Sequence, residues 1–456
     1  MKIDKELIHL FAEKLDSIHY EMLIGMMIGV DVYDNPFCNY QQLKIEIKKF
    51  DENTQKLIAF FYMGEFCEKE RIENLLGGNL LEYLYENDII NYDSDSCWLN
   101  NFLIIPYLNC YFVVSNTTNY PTCQEDVPRP YIGSDSYWLA RNVVNKVKGE
   151  VLDLCTGSGI QAILAAKSAD KVTGVDIDDI AVSIASFNAA LNRVEDKVTF
   201  LQGNLYEAIG DGKYDYILTN PPFIPIPKEI DFPICGDGGE DGKEIVDILL
   251  KGYKKHLKEK GTAIMIGQAL GDNRRTFLED DVNEICKGMQ ASLMLWGNIP
   301  IASLVGQTMT LAKVCNRNIE LGFEDWENRF LKQGATELYT FTLFVTNVEG
   351  SLNTVYSRLS WNKDDVPTVD VQKIEKIGDY YSFHFGENRV FSGPDDQKFF
   401  IEKIDGKKSV SEILSEFPLK YKIKHSSSEW VLIASYLSFC GLLERKGIIR
   451  KERRNG

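Results

Sequence analysis

Asp153, Gly157 and Gly159 stand in the run Val151-Leu152-Asp153-Leu154-Cys155-Thr156-Gly157-Ser158-Gly159-Ile160-Gln161-Ala162, where a strand passes through a glycine-rich turn into a helix. Glycines in such a turn let the backbone approach a ligand closely, and the first turn of the helix has amides with no partner inside it. The next strand ends in Val175-Asp176-Ile177-Asp178, which offers a carboxylate able to bond both hydroxyls of a ribose. A nucleoside is the ligand this pairing suits.

Two nucleoside readings compete. Gly157-x-Gly159-x-x-Ala162 satisfies the dinucleotide fingerprint, with an acid 17 residues after Gly159. Asp153 weighs against it, because a dinucleotide site wants apolar strand at that point. A buried carboxylate there suits a ligand bearing a cation and an amino group, as S-adenosylmethionine does. A second run bears on the reaction. The strand Tyr214–Thr219 ends in Asn220-Pro221-Pro222-Phe223, at the carboxyl edge where open parallel sheets bind ligands. Alone this run reads as a stiff turn. Beside the glycine loop and Asp176, in one sheet and in the right order, it reads as part of a site.

On these motifs, residues 131–270 resemble a class I S-adenosylmethionine-dependent methyltransferase. Within that superfamily Asn-Pro-Pro-Phe marks enzymes that methylate a planar nitrogen: release-factor glutamine methyltransferases, adenine-N6 and cytosine-N4 DNA methyltransferases, and ribosomal guanine-N2 enzymes. The runs Tyr131-Ile-Gly133-Ser-Asp-Ser136-Tyr-Trp-Leu139-Ala-Arg141 and Asp237-Gly-Gly-Glu-Asp-Gly242 extend the match. The whole chain is similar to a bacterial three-part family with a release-factor-methyltransferase-like centre.

The resemblance implies donor contacts from Asp153 and Gly157 at the methionine end, Asp176 at the ribose and Ile177 beside the adenine. Thr156, Gly159 and Leu205 belong to the same donor site. Asn204 sits where many relatives have an acid that bonds the adenine amino group, and its oxygen can accept that bond too. Tyr131, Ser136 and Tyr137 close over the donor. An amide or arylamine nitrogen is a poor nucleophile because its lone pair is delocalised. The Asn220 side-chain oxygen and the Pro221 carbonyl are placed to accept hydrogen bonds from it and to favour the charge that develops as it attacks. Pro221 and Pro222 fix the loop and remove competing donors, and Phe223 stacks on the planar substrate.

The elements that must position these residues fall into three regions. Residues 1–130 open with helical patterns such as Leu7-x-x-Leu10-Phe11 and close with two strand-like runs, Trp98–Ile105 and Tyr107–Val114. They read as a winged-helix-like module, with a polar linker over Ser115–Pro130. Residues 131–350 alternate strand and helix, which predicts a parallel sheet covered by helices. The pattern breaks between Gly271 and Ala335, read as an insertion or lid whose Trp296 and Trp326 wall the acceptor pocket. Residues 351–456 read as a second small winged-helix-like domain. Ser409 and Glu412 form a capping box there, with a helix expected over 428–440 and a strand over 442–450. The fold class expected is α/β, a Rossmann-like methyltransferase sheet with a smaller α+β domain at each end.

Composition bounds the function. Across 456 residues there are 67 acids and 50 bases, a formal charge of −17, which discourages partners held by phosphate contacts. The basic end, Arg445 to Arg454, reads as a solvated terminus. No apolar run reaches the ~20 residues of a membrane span. Ten cysteines without a Cys-x-x-Cys pair and five scattered histidines support neither zinc nor redox chemistry. No signal peptide is recognised at the N-terminus, so a cytoplasmic location is expected. The expected function is N-methylation of an amide or amine of a protein, peptide or small intermediate. The alternatives are a nucleic-acid methyltransferase and a donor-binding regulatory protein without turnover.

Overall fold

The computed structural model describes residues 1–27, 36–116, 130–314 and 319–356, then 366–369, 371, 373–377, 380–385, 389–418, 420–421 and isolated positions from 432 to 451. Among them no helix is long and apolar enough to cross a membrane.

The first region holds α1 (Lys5–Ser17), α2 (Tyr20–Gly25), α3 (Pro36–Glu46), α4 (Glu52–Met63), β1 (Cys67–Glu68), α5 (Lys69–Leu76), α6 (Gly78–Glu86), β2 (Ile90–Tyr92) and β3 (Ser96–Leu99). The three strands form a small sheet in the order β1-β3-β2. The run expected as one strand over Trp98–Ile105 is two. It breaks at Asn101, whose φ of 57° is a left-handed turn that asparagine tolerates. Beyond the break lies a separate hairpin, β4 (Phe102–Pro106) and β5 (Tyr111–Ser115), turning through Leu108 (φ 54°) and Asn109 (φ 57°). Most of the linker expected over Ser115–Pro130 lies outside the described residues.

The second region contributes α7 (Ser134–Val143), β6 (Glu150–Leu154), α8 (Ile160–Ala166), β7 (Lys171–Asp176), α9 (Asp179–Leu191), β8 (Val198–Gln202), β9 (Tyr214–Thr219), α10 (Glu244–His256), β10 (Leu257–Gly271), α11 (Leu278–Ile285), β11 (Met289–Pro300), α12 (Ile301–Val314), α13 (Phe323–Lys332), β12 (Glu337–Glu349) and β13 (Leu352–Tyr356). They build one eight-stranded sheet in the order β13-β11-β12-β10-β9-β6-β7-β8. Strands β6 to β10 run parallel, and β12 runs antiparallel between β10 and β11. The sheet is mixed and Rossmann-like. Val151, Leu152 and Leu154 of β6 are fully buried, as befits a central parallel strand covered on both faces. Helix α10 shows how the covering layer forms. Val246, Leu249, Leu250 and Tyr253 are buried at helical spacing, with acids in its first turn and bases in its last. From β6 the chain proceeds to β7 and β8 on one side, then returns to place β9 on the other. That reversal opens a crevice at the carboxyl ends of β6 and β9.

The expected insertion over 271–335 is corrected in part. Strand β11 belongs to the sheet, paired to β12 from Gln290–Thr346 to Pro300–Glu337, and helix α11 packs on it through Leu278 and Val282. Only α12 and α13 stand outside it, on a satellite core with Ile226, Ile230 and Leu270. The sheet also continues through β13, past the boundary expected at 350. Neither tryptophan expected in the pocket wall is there. Trp296 Nε1 donates to Thr342 Oγ1 at 2.8 Å and its ring packs on Trp138. Trp326 is fully buried in the satellite core.

The hairpin joins the first region to the sheet domain through two asparagines four apart, Asn188 on α9 and Asn192 capping its C-terminus. Asn188 Oδ1 accepts from the Val113 N–H (2.8 Å) and its Nδ2 donates to the Val113 carbonyl (3.0 Å). Asn192 does the same with Tyr111, at 2.8 and 2.7 Å. Four helical residues rise ~6 Å and two strand residues ~6.7 Å, so the two carboxamides continue the ladder of β5. A contiguous apolar core runs from Ile8 and Phe61 through Phe112 to Ile163 and Phe187.

The third region has β14 (Pro367–Val369), β15 (Lys373–Ile377), β16 (Tyr380–Phe385), β17 (Arg389–Gly393), α14 (Asp395–Glu402), α15 (Val410–Ser415) and β18 (Ile449–Lys451). The capping box forms: Ser409 Oγ accepts from the Glu412 N–H and Glu412 Oε2 accepts from the Ser409 N–H. Most of the helix expected over 428–440, of the strand over 442–450 and of the basic end lies outside the described residues.

Candidate active site

Strand β6 ends at Leu154, and the turn into α8 bends through three left-handed residues: Cys155 (φ 60°), Gly157 (φ 52°) and Gly159 (φ 81°). The two glycines serve different ends. A Cβ on Gly157 would meet only Pro130, at 3.8 Å, so its role is conformational and it leaves the cavity side open. A Cβ on Gly159 would lie 3.0 Å from Ala185 and 3.1 Å from Phe200, so this glycine lets α8 start close against α9 and β8.

Asp153 anchors the turn from beneath. Its Oδ2 accepts from Thr156 Oγ1 (2.6 Å) and the Ala162 N–H (3.1 Å), while Oδ1 is buried with no hydrogen-bond partner among the described residues. Burial pushes its carboxyl up to about 7, against the pull of those two hydrogen bonds and with the help of nearby Asp176. Asp176, at the end of β7, accepts from the Gly157 N–H with Oδ2 (2.8 Å) and from the Asp178 N–H with Oδ1 (3.1 Å). Burial raises it as well, and the same amides hold it back. The carboxylate thus ties the glycine turn to the adjacent strand end and keeps further lone pairs for a ligand. Beside it Ile177 is 54% exposed, an apolar side chain placed to cover a flat ring.

Strand β9 delivers Asn220 to the same cavity. Its Nδ2 donates to Asp135 Oδ2, in the first turn of α7, at 2.7 Å. Its Oδ1 is buried and has no hydrogen-bond partner among the described residues. Behind Asn-Pro-Pro-Phe the run Asp237–Gly242 forms a bed. A Cβ on Gly238 would lie 2.9 Å from the Phe223 backbone, and one on Gly242 would lie 2.6 Å from the Phe223 carbonyl oxygen. Backbone bonds stitch the two segments together: Ile224 N–H to the Gly236 carbonyl (3.0 Å), Gly238 N–H to the Ile224 carbonyl (2.9 Å) and Ile226 N–H to the Gly239 carbonyl (2.8 Å). On the other side the Phe223 ring comes within 3.4 Å of where a Gly267 Cβ would stand on β10.

The cavity brings together Tyr131, Ser136, Thr156, Gly157, Asp176, Ile177, Asn204, Leu205, Asn220, Pro221, Pro222 and Phe223. Asp153 and Gly159 are not in its lining: the first acts through Thr156 and the backbone, the second through helix packing. Tyr137 is buried against Tyr107 and is likewise outside the lining. Leu205, at φ 47°, and Cys155 are held in a conformation bulky residues rarely adopt, and both line the cavity, where such strain tends to gather. Sequence reasoning passed over Asp135, although an acid opening the helix before the glycine loop was there to read. It also passed over Cys235 and Ile234, which close the cavity from the loop after Phe223.

These groups fit S-adenosylmethionine. Asp176 has lone pairs for the ribose and the exposed Ile177 suits the adenine, beside a glycine turn that Asp153 holds from beneath.

Comparison with known proteins agrees. A family model described as a methyltransferase small domain matches residues 132–287. A Methanocaldococcus jannaschii chain that carries a protein N5-glutamine methyltransferase name is 36% identical over 147 residues, 31% of this chain and 73% of that one. A ribosomal protein uL3 glutamine methyltransferase of Bradyrhizobium diazoefficiens is 35% identical over 30% of this chain and 49% of its own. A release factor glutamine methyltransferase of Koribacter versatilis is 38% identical over 34% and 60%. The chain thus spans about half the length of these last two. With its crevice at the β6/β9 reversal, its glycine turn over Asp153 and a relative matched over most of its length, this chain belongs to the small-domain family of S-adenosylmethionine-dependent methyltransferases.

Proposed function

We propose that the chain methylates the side-chain amide nitrogen of a glutamine in a protein. The observation that carries this reading is Asn220 Oδ1, a buried acceptor without a partner among the described residues, on a side chain that lines the cavity together with the glycine turn and Asp176. An unpaired buried acceptor is costly, and an N–H of the methyl acceptor relieves it. The names of the related glutamine methyltransferases support an amide over a nucleobase. The charge of −17 supports a protein over a polyphosphate. The described cysteines are free thiols, which suits a reducing compartment, and we read the enzyme as cytoplasmic.

Bound S-adenosylmethionine supplies a methyl group already activated on a sulfonium. Thr156, Gly157, Asp176, Ile177, Asn204 and Leu205 would hold it, with Tyr131 and Ser136 lining the same cavity. The remaining work is positioning and charge stabilisation. Asn220 Oδ1 and the Pro221 carbonyl each accept from the amide NH2, which fixes the nitrogen and favours the positive charge that grows on it. Phe223 packs on the planar amide. As the N–CH3 bond forms, the S–CH3 bond would break and S-adenosylhomocysteine would leave; the nitrogen becomes acidic as it attacks and would lose its proton to solvent water without a dedicated base. The first region, clamped to α9 by the hairpin, and the third region would shape the approach of the protein acceptor.

The test is transfer of labelled methyl from S-adenosylmethionine into a lysate of cells lacking the gene. Label that protease releases and nuclease does not is the result expected. Nuclease-sensitive label would instead establish a nucleic-acid acceptor and overturn this reading.

A further inference from the structure

We propose that Asp135 is a positioning residue that sets which way the Asn220 carboxamide faces, and so makes the site select acceptors that donate a hydrogen bond. The inference rests on the acceptor chemistry proposed above. A carboxamide has two ends of similar size, and turning it over exchanges an acceptor for a donor. An ionised carboxylate only accepts. Placed 2.7 Å from Asn220, Asp135 Oδ2 therefore requires the NH2 end to face it and the oxygen to face away. The oxygen end, turned from Asp135, is buried and unmatched among the described residues, on a side chain that lines the cavity.

The carboxylate is itself held in place. Gly133, capping α7, has no Cβ to obstruct it: one built there would collide with Asp135 Oδ1. The first turn of α7 is pinned to α8 by Gln161 Nε2, which donates to the Ser136 carbonyl at 2.8 Å. The end of strand β9 and helix α7, 85 residues apart at the contact, are thus joined by this pair in the cavity lining. With the carboxamide reversed, two N–H groups would face the acceptor NH2, and donor would meet donor.

The test combines kinetics with an exchange of the two groups. Asp135→Ala should lower kcat ~10- to 100-fold, the scale of a misaligned reacting group, with binding of S-adenosylhomocysteine within a few-fold of wild type. Asn220→Asp places two carboxylates face to face and should lose at least as much. Combining it with Asp135→Asn restores a donor–acceptor pair and leaves one oxygen of the new carboxylate toward the cavity, so the double variant should recover ~10-fold over Asn220→Asp alone. A double variant no better than Asn220→Asp, while still folded and binding S-adenosylhomocysteine, would overturn the proposal. A second readout needs no acceptor. In 15N-labelled protein the Asn220 side-chain NH2 should show one proton shifted downfield by the carboxylate and lose that shift in Asp135→Ala; an unchanged signal would equally overturn the proposal. Wild-type protein that labels no protein at all would fail the glutamine reading, and the NH2 signal would still decide the role of Asp135.

Discussion

Asp153 illustrates how a single side chain in this site ties chemistry to stability. Its carboxyl is pushed up to about 7 by burial, above the ~3.9 of an unfolded chain, so the folded protein holds that proton more tightly. The stability it contributes is present in full below pH ~4 and is lost as pH rises through about 7. Donor-free wild type should therefore lose more stability between pH 5 and pH 8 than Asp153→Asn, which stays neutral throughout and still offers an oxygen to Thr156 and Ala162. Thermal unfolding at the two pH values measures this, and equal slopes would contradict it. Asp153, Asp176 and Asn220 were legible in the sequence because each sits at a strand end beside a glycine or proline turn, where spacing alone reports position. Asp135 is marked only as an acid in the first turn of a helix, and its partner lies 85 residues further along the chain, so its contact has no local sign.

At the scale of elements, the site depends on loops and helices that touch no ligand. Asn188 is fully buried and bonds Val113 twice and the Ser158 carbonyl once, so it joins the hairpin to the glycine turn. Asn188→Ala should cost ~3 kcal/mol by leaving buried backbone groups unpaired, and Asn192→Ala, which is less buried, ~1 kcal/mol. Urea unfolding distinguishes them, and equal small losses would argue against the ladder. Gly242, at φ 76° and against the Phe223 carbonyl, supports the reaction loop from behind. Gly242→Ala should reduce methyl transfer ~10-fold or more while S-adenosylhomocysteine still binds, because the displaced segment carries the proposed acceptor contacts. Helix–strand alternation announced β6 to β10 in the sequence. Strand β11 escaped notice even though Met289, Ala291, Leu293 and Leu295 alternate on a buried face, because it pairs with a strand that comes later in the chain. Its Trp296 looked like a pocket wall only while β11 was taken for an insertion.

Across the whole molecule, one sheet domain carries the donor and reaction loops, and the first region is continuous with it through a shared core. The general layout was readable from texture: helices, then alternation, then a small mixed module. The joint between the first two regions was not, because it is made by side-chain amides on α9 and at its C-cap that mimic a strand, and sequence periodicity has no sign for that. On the reading proposed above, this assembly methylates a glutamine amide under the direction of Asn220. The most direct measurement adds S-adenosylmethionine with a labelled methyl to protein from cells lacking the gene, using wild type or Asn220→Ala, and locates the label by peptide mass spectrometry. The result predicted is label on a glutamine side-chain nitrogen with wild type, and at least ~100-fold less with Asn220→Ala at unchanged S-adenosylhomocysteine binding. Label on any other atom, or equal labelling by the two proteins, would contradict it.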